Sequence, residues 1–240
     1  APQAAPNTDG VSVISWSKDN QGNDLKPSSV EIPQWTESYV YDSEGYITTE
    51  LSLYLTEGEH TLTLIGLREP MLLNKLILSN RTNAQSYEAV KQAWDAAGAA
   101  DTSGHVLRIE AENVSRTSSQ MLYAQQDQSS PAIYPASPKE LLNNTLGGNS
   151  WRLNGQWMEW EFEVPQTGYY HISLFDKQNF VKGIYVSRRI TIDGAVPFSE
   201  MEHYGFTYDS GWREDVLSDE DGNPYCFYLE EGTHTLRMEV

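Results

Sequence analysis

Cysteine is nearly missing from these 240 residues. Cys226 stands alone, so no disulfide can form within the chain. One thiol does not separate the cytosol from a bacterial exterior. Basic residues are few as well: 16 Lys and Arg face 34 Asp and Glu, a net charge of −18. That field repels a phosphate backbone and an anionic lipid surface, so general nucleic-acid binding is excluded as an expectation. No apolar run approaches the roughly 20 residues of a membrane-spanning helix. The opening APQAAPNTDG is not a signal peptide and reads as a mature terminus, a linker or the start of an expressed segment. Catalytic motifs are lacking too. There is no HExxH, CxxC or GxGxxG, and Ser103-Gly104-His105 lacks the elbow and the strand–turn–helix setting of a nucleophile. Acid pairs such as Glu159/Glu161 or Asp215/Asp219 could imitate a glycosidase dyad. Carboxylates are so abundant that such pairs arise by chance, and no enzyme is expected.

Aromatic residues of a particular kind are plentiful, with 7 Trp and 14 Tyr against 6 Phe. Trp and Tyr join an apolar face to a polar edge, which suits wet binding surfaces; a large β-sandwich also buries many of them.

Along the chain, residues 1–10 read as a flexible leader and 17–34 as loop. Period-two alternation then predicts strands at 51–55, 61–64 and 72–78, and later at 106–110, 156–164, 168–176, 186–193, 225–230 and 233–240. Between the two groups, Tyr87, Val90, Lys91 and Trp94 recur at helical spacing in an Ala-rich stretch. This predicts a short helix in a linker over 83–105. The class is all-β, and a sandwich is the expected architecture.

A repeat organises the chain. Leu53-Tyr54-Leu55-Thr56-Glu57-Gly58-Glu59-His60-Thr61-Leu62 aligns with Phe227-Tyr228-Leu229-Glu230-Glu231-Gly232-Thr233-His234-Thr235-Leu236. Upstream, Asp42-Ser43-Glu44-Gly45 answers Asp219-Glu220-Asp221-Gly222, and Trp35 answers Trp212. The same unit therefore occurs twice. The second copy has a long front part without counterpart in the first; the first has a strand at 70–79 without counterpart in the second. This division predicts a first module over 11–82, present mainly as its C-terminal half, and a second over 106–240 without its last strand. A strand lent between copies is the alternative.

Val106-Leu107-Arg108-Ile109-Glu110-Ala111-Glu112-Asn113 opens a recognisable series. Gly155–Pro165, Gly168–Ile172, Arg189–Gly194 and Leu229–Leu236 follow in order. Together they resemble carbohydrate-binding modules with a galactose-binding-like jelly roll. Val186-Ser187-Arg188-Arg189, Val196-Pro197-Phe198, Asp219–Tyr225, Gly22–Pro27, Pro33-Gln34-Trp35 and Arg68-Glu69-Pro70-Met71 are similar to modules attached to extracellular solute-binding lipoproteins of Gram-positive sugar ABC transporters. The resemblance implies tandem jelly-roll β-sandwiches joined by the helical linker. It implies non-catalytic binding of polysaccharide or oligosaccharide outside the bacterial cell, with a solute-binding domain or ABC transporter components as partners. The alternative is a structural or protein-interaction module with no sugar site.

The candidate ligand residues lie in loops. Trp151 beside Asn149 can stack on a sugar or anchor its own loop. Tyr123 flanks a polar loop, and Phe180 and Tyr185 lie in 179–187. Lys182, Arg188 and Arg189 form a basic cluster that suits a uronate carboxylate or internal ion pairs. Trp157 and Trp160, three apart, face opposite ways in a strand, so at least one is expected in the core. His60 and His234 hold equivalent places in the repeat and read as structural. Glu110 and Glu112 share one strand face. The resemblance implies that they help hold a structural Ca²⁺; a solvated edge or a pair with Arg108 or Arg116 is the alternative.

Overall fold

The computed structural model describes residues 5–6, 12–13, 16–42, 44, 46–47, 49–67, 71–80, 83–102 and 104–240. Most of the expected leader, together with Ser43, Gly45, Arg68-Glu69-Pro70 and Ser103, lies outside the described residues. The chain divides into two compact units, residues 1–33 with 84–240 and residues 34–83.

The larger unit is mostly β. Its elements are β1 (Ala5–Pro6), β2 (Ser12–Val13), α1 (Tyr87–Ala96), β3 (Arg116–Thr117), β4 (Trp157–Val164), β5 (Gly168–Tyr170), β6 (Ser173–Asp176), β7 (Val186–Ile192), β8 (Tyr204–Phe206), β9 (Arg213–Val216), β10 (Phe227–Leu229) and β11 (Gly232–Glu239), with three short 3-10 turns. A five-stranded antiparallel sheet runs in the order β3-β4-β11-β7-β8. β10 pairs with β5, β6 with β9, and β1 with β2.

Alternation explains the five-stranded sheet. Met158, Trp160, Ile190, Leu236 and Met238 point to one face and join Phe198, Met201, Phe206, Leu217, Tyr225 and Phe227 in a single core. Full burial of each large apolar side chain contributes about 1.5–3 kcal/mol, enough to fix the register. Trp160 is buried, while Trp157 lies on the outer face under Arg237, whose guanidinium is 4.0 Å from the ring centre. Glu159, also on the outer face, is only 5% exposed. Its Oε1 meets Arg116 at 3.1 Å, and its Oε2 accepts from Arg237 Nε and Nη2 at 3.0 and 2.7 Å.

The expected helix forms, but it is docked on the core. Tyr87, Val90 and Trp94 pack inward, with Tyr87 4.9 Å from Phe198 and 4.7 Å from Tyr225 between ring centres. Its first N–H donates to the Glu200 carboxylate at 2.9 Å. An apolar stripe at this spacing demands burial, and the β core supplies it.

Residues 17–25 form a hairpin that the repeat comparison missed. Asp19 Oδ1 accepts from Gln21 and Asn23 N–H, as Asp219 Oδ1 does from Asp221 and Asn223. Leu25 N donates to Ser17 O, as Tyr225 N does to Leu217 O, both at 2.8 Å. The first hairpin docks on the 123–143 region: Asn143 N donates to Asp24 Oδ2, Leu141 N to Asn23 Oδ1, and Gln126 Nε2 to Asp24 O.

In the smaller unit, the described residues include no strand or helix, so the ladders expected at 51–55, 61–64 and 72–78 are not formed there. Leu53, Leu64 and Leu72 are exposed. An alternating pattern makes a strand only when a neighbouring strand and an apolar layer meet it. The same holds for 106–110 in the larger unit, which has no strand partner among the described residues. The local repeat nevertheless persists. His60 Nε2 lies 2.8 Å from Thr56 O, and His234 Nε2 lies 2.8 Å from Glu230 O. Gly58 and Gly232 share φ near +135°, at +136° and +133°, a conformation that disfavours any side chain.

Candidate functional site

Three loops carry the sequence-predicted ligand residues. The 178–185 loop is the best organised. Gln178 is buried, and its amide spans the whole turn. Oε1 accepts from Phe180 and Val181 N–H at 3.0 and 3.1 Å, while Nε2 donates to Val181 O and Ile184 O at 3.1 and 3.4 Å. Its own carbonyl accepts from Asp209 N–H at 2.9 Å. This fixed loop holds Phe180 and Tyr185 out into solvent, 57% and 62% exposed. The Tyr185 ring lies over Gly205, where an added Cβ would come within 3.0 Å of the ring.

The other two predicted aromatics are placed differently. Trp151 is half-buried against the core, and its indole N–H donates to Gln156 O at 3.1 Å. The Arg188 guanidinium lies 4.1 Å from its ring centre, and Arg188 Nη2 donates to Trp151 O at 3.1 Å. Tyr123 is half-buried with the Lys26 ammonium 3.8 Å above its ring. Each has a ring face already occupied, so loop anchoring is the role their geometry supports. Asn149 is exposed on the turn before Trp151. Gln125 Nε2 ties the Tyr123 loop to that turn through Gly147 O and Ser150 Oγ.

Arg188 points to the core side of β7, among Val186 and Ile190, while Arg189 points outward. Burial draws the Arg188 guanidinium down to about 10. The alternative of internal ion pairing is not what the structure shows for Arg188, because no described carboxylate pairs with it.

A second polar cluster sits on the β6–β9 pair. Trp212 stacks on Phe175 at 5.5 Å and donates its indole N–H to Asp127, which also meets Lys177 at 2.9 Å. Burial alone would raise the Asp127 carboxyl, but hydrogen bonds from Ser129, Lys177 and Trp212 outweigh it and hold it at about 2. Sequence reasoning missed this cluster and the Gln178 clamp. Loop glutamines carry no periodic signal, and Asp127 lies 85 residues from Trp212.

The two residues implied for calcium have different surroundings. Glu110 is paired with Arg108 at 2.6 Å, the alternative weighed from the sequence. Glu112 is turned inward, and its burial pushes the carboxyl up to about 7. Among the described residues no group of three or more His, Cys, Asp or Glu is arranged to hold a metal.

The fold and these loops define a mostly β protein in which the 178–185 loop presents an aromatic pair. No family model and no curated protein matches the chain. Among solved structures it is similar to a cycloisomaltooligosaccharide glucanotransferase from Paenibacillus sp., complexed with cycloisomaltoheptaose. That match has a TM-score of 0.39 and 17% identity, covering 65% of this chain and 21% of that one. It is also similar to a ruminal GH26 endo-beta-1,4-mannanase, with a TM-score of 0.35 and 14% identity, covering 58% and 24%. The chain thus spans under a quarter of the length of either enzyme.

Proposed function

We propose that this chain is a non-catalytic carbohydrate-binding protein of the galactose-binding-like jelly-roll kind, with tandem modules. It works at the bacterial cell surface beside a sugar-uptake solute-binding protein. The observation that carries the binding role is the loop clamped by Gln178, which fixes two exposed aromatic rings. An exposed ring held in place loses little further freedom when a pyranose stacks on it, so most of the stacking energy is retained as affinity. The order of motifs from Val106 to Leu236 supports the jelly roll, the extracellular location and the transporter partner.

Three of the four acids that could imitate a glycosidase dyad have other duties. Glu159 is held by two arginines, Asp215 by Arg213 at 2.8 Å, and Asp219 accepts from its own loop. This supports a binding role without catalysis.

The second reading, a structural module that docks on a neighbouring protein, is favoured by the occupied faces of Trp151 and Tyr123. Native affinity electrophoresis against soluble neutral and acidic polysaccharides separates the two. Retardation by at least one polymer, lost in the Phe180→Ala, Tyr185→Ala double variant, supports binding. Unchanged mobility of folded protein on every polymer supports the structural reading.

A further inference from the structure

We infer that Arg188 receives an anion, and that the glycans bound at this loop end carry carboxylates, as uronic acid residues do. This inference rests on the carbohydrate-binding reading and names its ligand class.

The setting of Arg188 is unlike that of the other arginines with described ion pairs. Arg108, Arg116, Arg213 and Arg237 each meet a Glu or Asp within 3.1 Å. Arg188 meets only neutral groups: Ser187 O at 2.7 Å, Trp151 O at 3.1 Å and the Trp151 ring. Its Nε is buried and has no acceptor. The chain carries 34 acids, yet none of the described ones pairs with it. A cation removed from water without a counter-charge is costly to keep, and a ligand carboxylate supplies the missing charge.

The donor geometry fits that ligand. Nη1 and Nη2 each commit one N–H to a carbonyl, which leaves each a second N–H. A planar guanidinium fixed by two carbonyls and an indole presents those N–H groups in a set direction, the arrangement that suits a carboxylate. Neutral sugars offer hydroxyls, which satisfy the hydrogen bonds but leave the charge unmatched. The clamped loop runs directly into β7, so Tyr185 and the guanidinium sit at the same end of that strand, Tyr185 over Gly205 on the outer face and Arg188 on the core side.

The test compares sodium polygalacturonate with its methyl ester, which has the same backbone without the charge. Affinities are measured by titration calorimetry on the wild type, Arg188→Met and Arg188→Lys, with the Tm of each. The wild type is expected to prefer the acid polymer. In Arg188→Met that preference, taken as the ratio of the two affinities, falls about 10- to 100-fold. Its Tm holds or rises, because an unmatched buried charge has been removed. Arg188→Lys keeps the charge without the fork and falls in between. Equal affinity of the wild type for acid and ester overturns the inference and leaves carbohydrate binding standing. So does a preference intact in Arg188→Met with a lowered Tm, which would make the guanidinium a packing element on Trp151. No binding of folded wild type to either polymer, nor to neutral polysaccharides, removes the carbohydrate reading and this inference with it.

Discussion

The Arg188 guanidinium lies 4.1 Å from the centre of the Trp151 ring, and the indole N–H is held by Gln156 O. The pair closes the turn that enters β4, on the core side of the five-stranded sheet. Trp151 therefore acts first on stability. Trp151→Ala is expected to cost about 2–3 kcal/mol, toward the low end for a large core truncation because the ring is half-buried. Chemical denaturation measures this; a cost below about 0.5 kcal/mol would mean the ring is not a packing residue.

The exposed pair behaves in the opposite way. Phe180→Ala and Tyr185→Ala should change stability by no more than about 0.5 kcal/mol each. Together they should remove most of the affinity for a bound polysaccharide. Gln178→Ala leaves the rings in place and frees the loop. It should weaken binding with a more unfavourable binding entropy, read by calorimetry.

The outer face of the sheet gives a prediction independent of ligand. Glu159 is buried between Arg116 and Arg237, so Glu159→Ala strands two cations and is expected to cost about 2–3 kcal/mol. Arg116→Ala removes a side chain that is 42% exposed and leaves Glu159 still paired with Arg237, so it should cost about 1 kcal/mol or less. Equal costs would mean that the network is not organised around Glu159.

His234 and Asp193 meet at 2.6 Å at the tight turn that opens β11. Burial opposes the charged imidazole, but the Asp193 carboxylate and the Glu230 carbonyl outweigh it, so the His234 value is raised above its ordinary 6.5. Burial opposes the Asp193 charge too, yet hydrogen bonds from Thr235 and His234 hold it below 3.8. The histidine contribution is complete below pH 6.5 and is lost as pH rises through the raised value. The aspartate contribution is present above pH 3.8 and is lost as pH falls through the depressed one. The pair stabilises most between those limits, by about 0.5 kcal/mol after solvent screening. The Tm gap between wild type and Asp193→Asn should peak there and narrow as pH rises beyond 6.5 through the raised histidine value.

Much of the larger unit was legible because its strands obey one rule. In β4 every second residue is apolar, and in β7 and β11 the alternation holds over Ile190–Ile192 and Leu236–Met238; the structure turns these residues to the core side, with Arg188 as the exception in β7. The helix was legible for the same reason at another period, but its docking on Phe198 and Tyr225 was not, since spacing shows a face without naming what covers it. β8 and β9 were missed because Tyr204–Phe206 and Arg213–Val216 are too short or too polar to show alternation. The strands expected at 51–55, 61–64 and 72–78 show the converse: the pattern is present without a described ladder to receive it. At the candidate site, residue type pointed to the loops that carry Trp151, Tyr123, Phe180 and Tyr185. Which rings would be covered depended on Arg188 and Lys26, contacts that spacing does not encode.

Backbone amide chemical-shift mapping during titration with an oligosaccharide from a retarding polymer tests the central claim most directly. The largest shifts are expected at Phe180, Val181, Gly183 and Tyr185, with smaller ones at Asn149 and Arg188. Shifts confined to the outer sheet face, around Trp157 and Arg237, or to the Phe175–Trp212 pair, would contradict a binding site on the Gln178-clamped loop.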